Sequence, residues 1–380
     1  MTAESVLRPR ILFLEALPTI SGGQAVLLNL VSQLRMTYDL SVLLPDEGPL
    51  AEALRSLEIP CTLAPIGRYS LLHKTPLDIL NYVVRLPWLA CFTWQLVRRQ
   101  HINLLYANSA RTFAWGTLAA MLAGRPILWH HHSLLSEGKV LSLLRVLARL
   151  TIVRRIICAS EAARQQFQDL GQKAVAIPNA VDIQKFRPSP DLGAAVRKEL
   201  AIPMDKPAVG IVGDLISLKG QHILLEAARL GSPDIHCLVV GNARPGDSES
   251  SDYAARLHRM ATRNTLFTGY RDDLPALLNA LDILVVASER ETGPLVMLEA
   301  LACGVPVVST PVGRAPELVR PEALFPIGNA EALAERLRFW LADSQRLEVA
   351  KSAARTLAEE RFALEQFQCL IRAEIERANL

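Results

Sequence analysis

Across 380 residues the chain has no Cys-x-x-Cys pair, and its six cysteines (Cys61, Cys91, Cys158, Cys237, Cys303, Cys369) are widely scattered. That spacing excludes a zinc knuckle or a disulfide framework and leaves reduced core thiols. Aromatic residues make up only 6% of the chain, and no aromatic-basic repeat occurs, so nucleic-acid binding is not expected. Residues 1–10 lack the apolar core of a signal peptide, and the first hydrophobic run, residues 11–14, is far too short to span a bilayer; a cytosolic protein is expected. There is no low-complexity segment and no internal repeat.

Half of the residues are hydrophobic and 21% are charged, a balance that points to about two domains with large cores. The formal net charge is +3, but residues 1–185 hold 19 Lys and Arg against 12 Asp and Glu. A basic first half suits an anionic surface or an anionic acceptor, and a surplus of this size also arises by scatter.

The order of elements reads as α/β. An apolar strand at 11–14 is followed by Gly22-Gly23, an apolar-periodic helix over 25–34 and a second strand at 40–44. Further strands are expected at 104–106, 127–129, 156–158 and 175–177, giving a parallel Rossmann-like sheet. A Pro- and charge-rich linker is expected after Asp182, and a second set begins with the strand at 208–212. Helices are then expected at 221–230, 253–262, 274–280 and 295–303, with strands at 236–240, 266–268, 283–286 and 305–309. Two such domains (1–185 and 186–360) would form a cleft at the carboxyl ends of their strands. Residues 330–380 read as helical, and 361–380 as a closing helix.

Several groups along this frame can carry chemistry. Gly22-Gly23 permits close approach of a ligand to a helix N-terminus, although a Gly pair after a strand is often only a turn. The run Gly210-Ile-Val-Gly213-Asp214-Leu-Ile-Ser-Leu-Lys219-Gly220 repeats the pattern, with Lys219 placed to neutralise a phosphate. His130-His131-His132 closes a strand; on extended backbone His130 and His132 share a face. These suit contact with a sugar or acid/base assistance better than a metal, since no Cys or carboxylate completes a ligand set. The run Glu291-Thr292-Gly293-Pro294-Leu295-Val-Met-Leu-Glu299 places two carboxylates about a helix start, with Pro294 expected at the first helical position. Glu299, within an apolar helix, calls for a hydroxyl or cationic partner. Residues 77–99 and an expected helix over 140–155 combine apolar and basic side chains, fitting either a core or a membrane surface.

Together these elements resemble the retaining glycosyltransferases of family 4, of the GT-B fold, over most of the chain from Ile11 to about Phe367. The strongest part runs from Ser288 to Glu317: the Glu pair, Gly304-Val-Pro306, Val312-Gly313 and Pro316-Glu317. The resemblance implies a nucleotide-sugar donor (UDP- or GDP-linked) on the C-terminal domain and a glycan or lipid-linked acceptor on the N-terminal domain. Glu299 would take the ribose, and Glu291 with backbone from Thr292 through Gly293 and Pro294 to Leu295 the sugar and diphosphate. Lys219 would stabilise the leaving group, Gly213 would line the loop beneath it, Gly22 and Gly23 would close over the donor, and His132 would touch the sugar. The final helix would return to the N-terminal domain. No Asp-x-Asp pair occurs, which fits transfer without a bound metal or other cofactor. The acceptor would meet loops around 68–76 and 132–139, at or near the cytosolic membrane face.

Two positions depart from the family pattern. Asp214 stands where an arginine precedes the lysine, which leaves Arg271 or Arg290 to supply the missing charge, and Arg314 stands where a second glycine follows Gly313. Asp214 also motivates another reading, a GT-B subunit that binds a sugar nucleotide with weakened turnover. An epimerase or an inverting transferase would fit the Glu pair with Lys219 less well.

Overall fold

The computed structural model describes residues 8–378 except 65, 67–75, 137, 231–234 and 245, and gives backbone alone for 76–79. The acceptor loop expected around 68–76 therefore falls almost wholly outside the described residues.

Seven strands form the first sheet: β1 (Arg10–Leu14), β2 (Asp39–Leu44), β3 (Cys61–Leu63), β4 (Leu104–Ala107), β5 (Ile127–His131), β6 (Val153–Cys158) and β7 (Ala174–Ala176). Their order is β3-β2-β1-β4-β5-β6-β7, and every pairing is parallel. The second sheet holds β8 (Ala208–Val212), β9 (His236–Val240), β10 (Thr265–Gly269), β11 (Ile283–Val286) and β12 (Val307–Ser309), ordered β10-β9-β8-β11-β12 and again all parallel. Strands buried on both faces must be apolar throughout, which is why β4, β8 and β11 read as unbroken hydrophobic runs. In the second sheet Leu238, Val240, Leu284 and Val286 enter one core, while Cys237, Val239, Ile283 and Val285 enter another on the opposite face. That is the period-two alternation of extended chain.

The contacts gather into two units, residues 1–178 with 365–380, and residues 179–364. The chain leaves the first unit earlier than residue 185 because Val181 donates its N–H to Phe362 O at 2.9 Å and bridges Ala363, tying this segment to the second unit. The expected linker is largely a helix, Pro190–Glu199. Its buried Arg197 donates to Ala280 O at 2.9 Å and to Asp282 Oδ2 at 2.7 Å. Helix Leu364–Arg377 lies in the first unit, where Phe367, Ile371 and Ile375 are buried and Glu374 pairs with Arg155.

Two expected helices differ most in their bounds. The one placed over 140–155 stops at Ala148, since residues 153–158 form β6. Arg154 and Arg155 therefore belong to a strand. The one placed over 253–262 spans Ser248–Met260, started by Asp247, whose carboxylate accepts from Ser250 N at 3.2 Å. Helix Pro76–Arg99 buries Leu89, Ala90, Thr93 and Val97 and leaves Val83, Val84 and Trp88 exposed. Among the described residues no helix is long and apolar enough to cross a membrane.

Candidate functional site

In each sheet the order reverses once, between β1 and β4 and between β8 and β11, and open α/β sheets bind ligands outside the strand ends at such points. Gly22 and Gly23 follow β1, His132 follows β5, Gly213 and Lys219 follow β8, and Glu291 to Glu299 follow β11.

In the first unit, β1 runs into Glu15, which is fully buried. Its carboxylate accepts from Ala16 N at 2.6 Å, Leu17 N at 3.2 Å and Asn108 Nδ2 at 2.8 Å. Desolvation nevertheless raises its pKa, the hydrogen bonds offsetting this only in part. Asn108 follows β4, and its Nδ2 also donates to Gly23 O at 3.2 Å. Both neighbours of Nδ2 are acceptors, so Oδ1 is the atom facing His132 Nε2, 3.1 Å away. This fixes the proton of His132 on Nε2. Burial pushes the His132 pKa down to about 3, so the ring is neutral at pH 7, and its Nδ1 is a buried acceptor with no partner. Such an atom can receive a hydroxyl hydrogen.

The rings of His130 and His132 are 3.9 Å apart, sharing one face, while His131 lies against Gln166 and Phe167 on the other. Among the described residues no group of three His, Cys, Asp or Glu is gathered as metal ligands. Helix Gly22–Leu34 opens at the Gly pair, with Ser21 N donating to Gln24 Oε1 at 3.2 Å. A Cβ on Gly23 would sit 3.5 Å from the His132 ring, whereas one on Gly22 would meet nothing within 4 Å. Gly22 thus fronts open space and Gly23 carries the imidazole.

In the second unit, β8 is followed by Gly213, whose φ of 146° is open to glycine, with the Lys219 stem 3.4 Å from where a Cβ would be. Gly220 has φ 72°, and a Cβ there would lie 2.2 Å from Ala287 O. Leu218 O accepts from Glu289 N at 2.9 Å. The lysine loop is therefore clamped to the residues following β11. Gly220→Ala forfeits that clamp and places an L side chain in the left-handed region, at about 1–2 kcal/mol for the backbone alone. The melting temperature should fall by at least several degrees in a thermal scan.

Lys219 Nζ pairs with Glu291 Oε1, and Ser288 Oγ donates to the same oxygen at 3.3 Å. Gly313, at φ 53°, packs beneath this loop: a Cβ would come within 2.6 Å of Thr292 O and 3.0 Å of Glu291 O. Thr292 is buried, and no atom stands within 4 Å of a Cβ built on Gly293. Pro294, with ψ 123°, caps helix Leu295–Ala302 and is not its first residue; Leu295 takes that place. Glu299 lies on this helix with no hydrogen-bonding partner for its carboxylate among the described residues. Desolvation pushes its pKa up to about 7, the nearby Lys185 opposing. An acid held this way accepts hydroxyl hydrogen bonds at little further cost in desolvation.

Two basic residues do not take the places expected of them. Arg271 is held by Asp273 at 2.6 Å and Glu199 at 2.5 Å, after the edge strand β10, and hydrogen-bonds to neither Lys219 nor Glu291. Its charge is spent on those acids. Arg314 is buried, donates to Glu317 at 3.1 Å and lies over the Phe362 ring. Asp214 is not left facing the site alone, because Arg244 pairs with it at 2.7 Å. Glu15, Asn108 and Arg244 were missed in the sequence. Only Glu15 had a local signal, an acid placed directly after an all-apolar strand.

Comparison with known proteins decides the family. Residues 20–185 match the model of Glycosyltransferase Family 4, and residues 194–357 that of Glycosyl transferases group 1. The chain belongs to the group 1, family 4 glycosyltransferases. As a member of this family it has the GT-B fold. It is 25% identical over 79% of its length, and 78% of the relative's, to the Escherichia coli UDP-Gal:alpha-D-GlcNAc-diphosphoundecaprenol alpha-1,3-galactosyltransferase. A shorter match, 34% identical over 38% of this chain and 40% of the relative, joins it to a GDP-mannose-dependent phosphatidylinositol monomannoside mannosyltransferase of Corynebacterium glutamicum. Among solved structures, Anabaena Alr3699/HepE in complex with UDP-glucose superposes with a TM-score of 0.82 at 26% identity, covering 97% of this chain and 99% of that one.

Proposed function

We propose that this glycosyltransferase moves a hexosyl group, with retention at the anomeric carbon, from a UDP-sugar to a hydroxyl of a lipid-linked or glycan acceptor in glycoconjugate synthesis. The observation that carries the reading is the grouping of Lys219, Glu291 and the unpartnered Glu299 about one helix start beside β8 and β11. A helix N-terminus and an ammonium suit a diphosphate, and a partly buried carboxylate suits the two ribose hydroxyls. Uridine is favoured over guanosine because the relative matched over most of both chains uses UDP-Gal and the structural neighbour holds UDP-glucose.

As the glycosidic bond breaks, negative charge grows on the departing phosphate, and the Lys219 ammonium, steadied by Glu291, stabilises it. The departing phosphate then takes the proton of the attacking hydroxyl on the same face of the sugar. No step calls on a metal. In the first unit, His132 Nδ1 is the acceptor for a sugar hydroxyl, with Asn108 and Glu15 holding its tautomer. Incubation with α-linked UDP-glucose or UDP-galactose and a diphosphopolyprenol-linked sugar, followed by proton NMR of the product, should show a new α-glycoside. A β-glycoside sinks the retaining mechanism; transfer from GDP-mannose alone sinks the uridine assignment.

The basic first unit also docks on membrane under this reading. Helix Ala110–Ala123 packs on both Pro76–Arg99 and Lys139–Ala148; the three expose Val84, Trp88, Leu122, Leu143 and Val146, and Arg98, Arg99 and Arg125 are exposed at or just after helix ends. Flotation with vesicles containing anionic lipid should carry the protein upward. Equal failure with anionic and neutral vesicles removes the membrane claim alone.

A further inference from the structure

An acid at position 214 looks like a defect in a site built for a diphosphate, yet its surroundings are constructed. Its Oδ2 accepts from Nε of Arg244 at 2.7 Å. Arg244 arrives from the loop after β9, and that loop is fastened to the loop after β8 by two direct contacts and a bridge through Ser250. A Cβ on Gly241 would lie 2.0 Å from Gly213 O, so the two backbones touch. Leu215 N donates to Asn242 O at 3.0 Å. The buried hydroxyl of Ser250 donates to Leu215 O at 2.8 Å and accepts from Arg244 N at 2.8 Å.

The guanidinium is thus fixed at both ends, through its own backbone and through Asp214. Its side chain is only 23% exposed. A guanidinium carries five N–H groups, and pairing through Nε alone leaves those on both Nη atoms. Among the described residues none of these meets an acceptor. Arg271, by contrast, is held by two carboxylates through three of its nitrogens.

We propose that Arg244 is a diphosphate ligand of the donor site, supplied from the β9 loop in place of a base at position 214, with Asp214 as its positioning residue. The inference rests on the donor-site reading of the second unit. A carboxylate on one edge of the fork aims the other edge, and a planar fork suits two phosphate oxygens. Two ion pairs, Arg244 with Asp214 and Lys219 with Glu291, then stand at the ends of β9, β8 and β11. Before a diphosphate binds, each cation has a carboxylate as counter-charge. When a diphosphate binds, its oxygens take the open edge of the Arg244 fork, so the binding increment belongs to the phosphates and not to the nucleoside.

Calorimetric titration of the full chain with UDP, UMP and uridine separates the two contributions. Arg244→Gln should weaken UDP by about tenfold or more, as for a lost charge-assisted hydrogen bond, and leave uridine within twofold. The double variant Asp214→Arg with Arg244→Gln should recover most of the UDP affinity, since a guanidinium is restored from the other loop. Asp214→Asn should fall between, keeping the cation but not its aim. UDP binding unchanged in Arg244→Gln, or uridine weakened in step with UDP, overturns the proposal; the second pattern would show that Arg244 only holds the loop. If the unsubstituted protein binds none of the three, the donor-site reading itself fails and takes this inference with it.

Discussion

Replacing Lys219 with methionine should lower kcat for sugar transfer by about 10²–10³-fold, the usual cost of removing one group aimed at charge that develops in the transition state. Methionine keeps the stem that packs on Gly213 and removes only the ammonium. The charge matters more as the bond to phosphate breaks than in the bound donor, so kcat should suffer more than the dissociation constant for UDP. Slow hydrolysis of the donor without acceptor should fall in the same proportion, because it shares the leaving group. Steady-state rates with Lys219→Met and a melting curve as a control for folding make the check. A kcat within twofold of the unsubstituted enzyme would remove Lys219 from the chemistry and return Glu291 to a purely structural role.

Glu299→Gln should make the protein more stable in mild alkali and a poorer binder of nucleotide. In the folded chain the Glu299 carboxyl titrates at about 7 against an ordinary value of 4.5. The folded state therefore holds the proton more tightly than the unfolded state between those values. Stability from this group is fully present below about pH 4.5, declines as pH rises to about 7, and is flat above. The loss is on the order of 3–4 kcal/mol at pH 8, from about 1.4 kcal/mol per pH unit. A neutral amide avoids it, so urea unfolding at pH 8 should favour Glu299→Gln, and the advantage should vanish near pH 4. Binding runs the other way: the ionised carboxylate accepts from two ribose hydroxyls more strongly than the neutral acid, so UDP affinity should rise through pH 7 in the unsubstituted protein and stay level in the variant. Removing a charged acceptor costs about 1.5–3 kcal/mol, a ten- to hundredfold loss. A variant that binds UDP as tightly, with the same pH profile, would take the ribose role from Glu299.

The parts of this account that were legible in the sequence are those set by short-range rules. Strands such as 208–212 and 283–286 are unbroken apolar runs because both faces are covered, and the structure keeps those bounds. Gly220 and Gly313 occupy positive φ against carbonyl oxygens, so the glycine pattern of the resemblance has a steric cause. The sharing of a face by His130 and His132 follows from strand geometry. What was not legible depends on pairs far apart in the chain. Arg155 looked like the end of a basic helix, but its partner is Glu374. Asp214 read as a missing positive charge because Arg244 lies thirty residues away on another loop. Asn108 and Glu15 gain meaning only once β4 lies beside β1. Propensity misplaced the linker for the same reason: the proline- and charge-rich stretch holds a helix whose Arg197 is bound by Asp282.

The central claim is that the ends of β8 and β11 form a nucleoside-diphosphate site, and calorimetric titration of UDP and GDP into the purified protein and into Glu299→Ala tests it most directly. The account predicts that UDP binds the unsubstituted protein, more tightly than GDP, and that Glu299→Ala loses at least tenfold in affinity while remaining folded. Binding of neither nucleotide, or equal binding by both proteins, would contradict it.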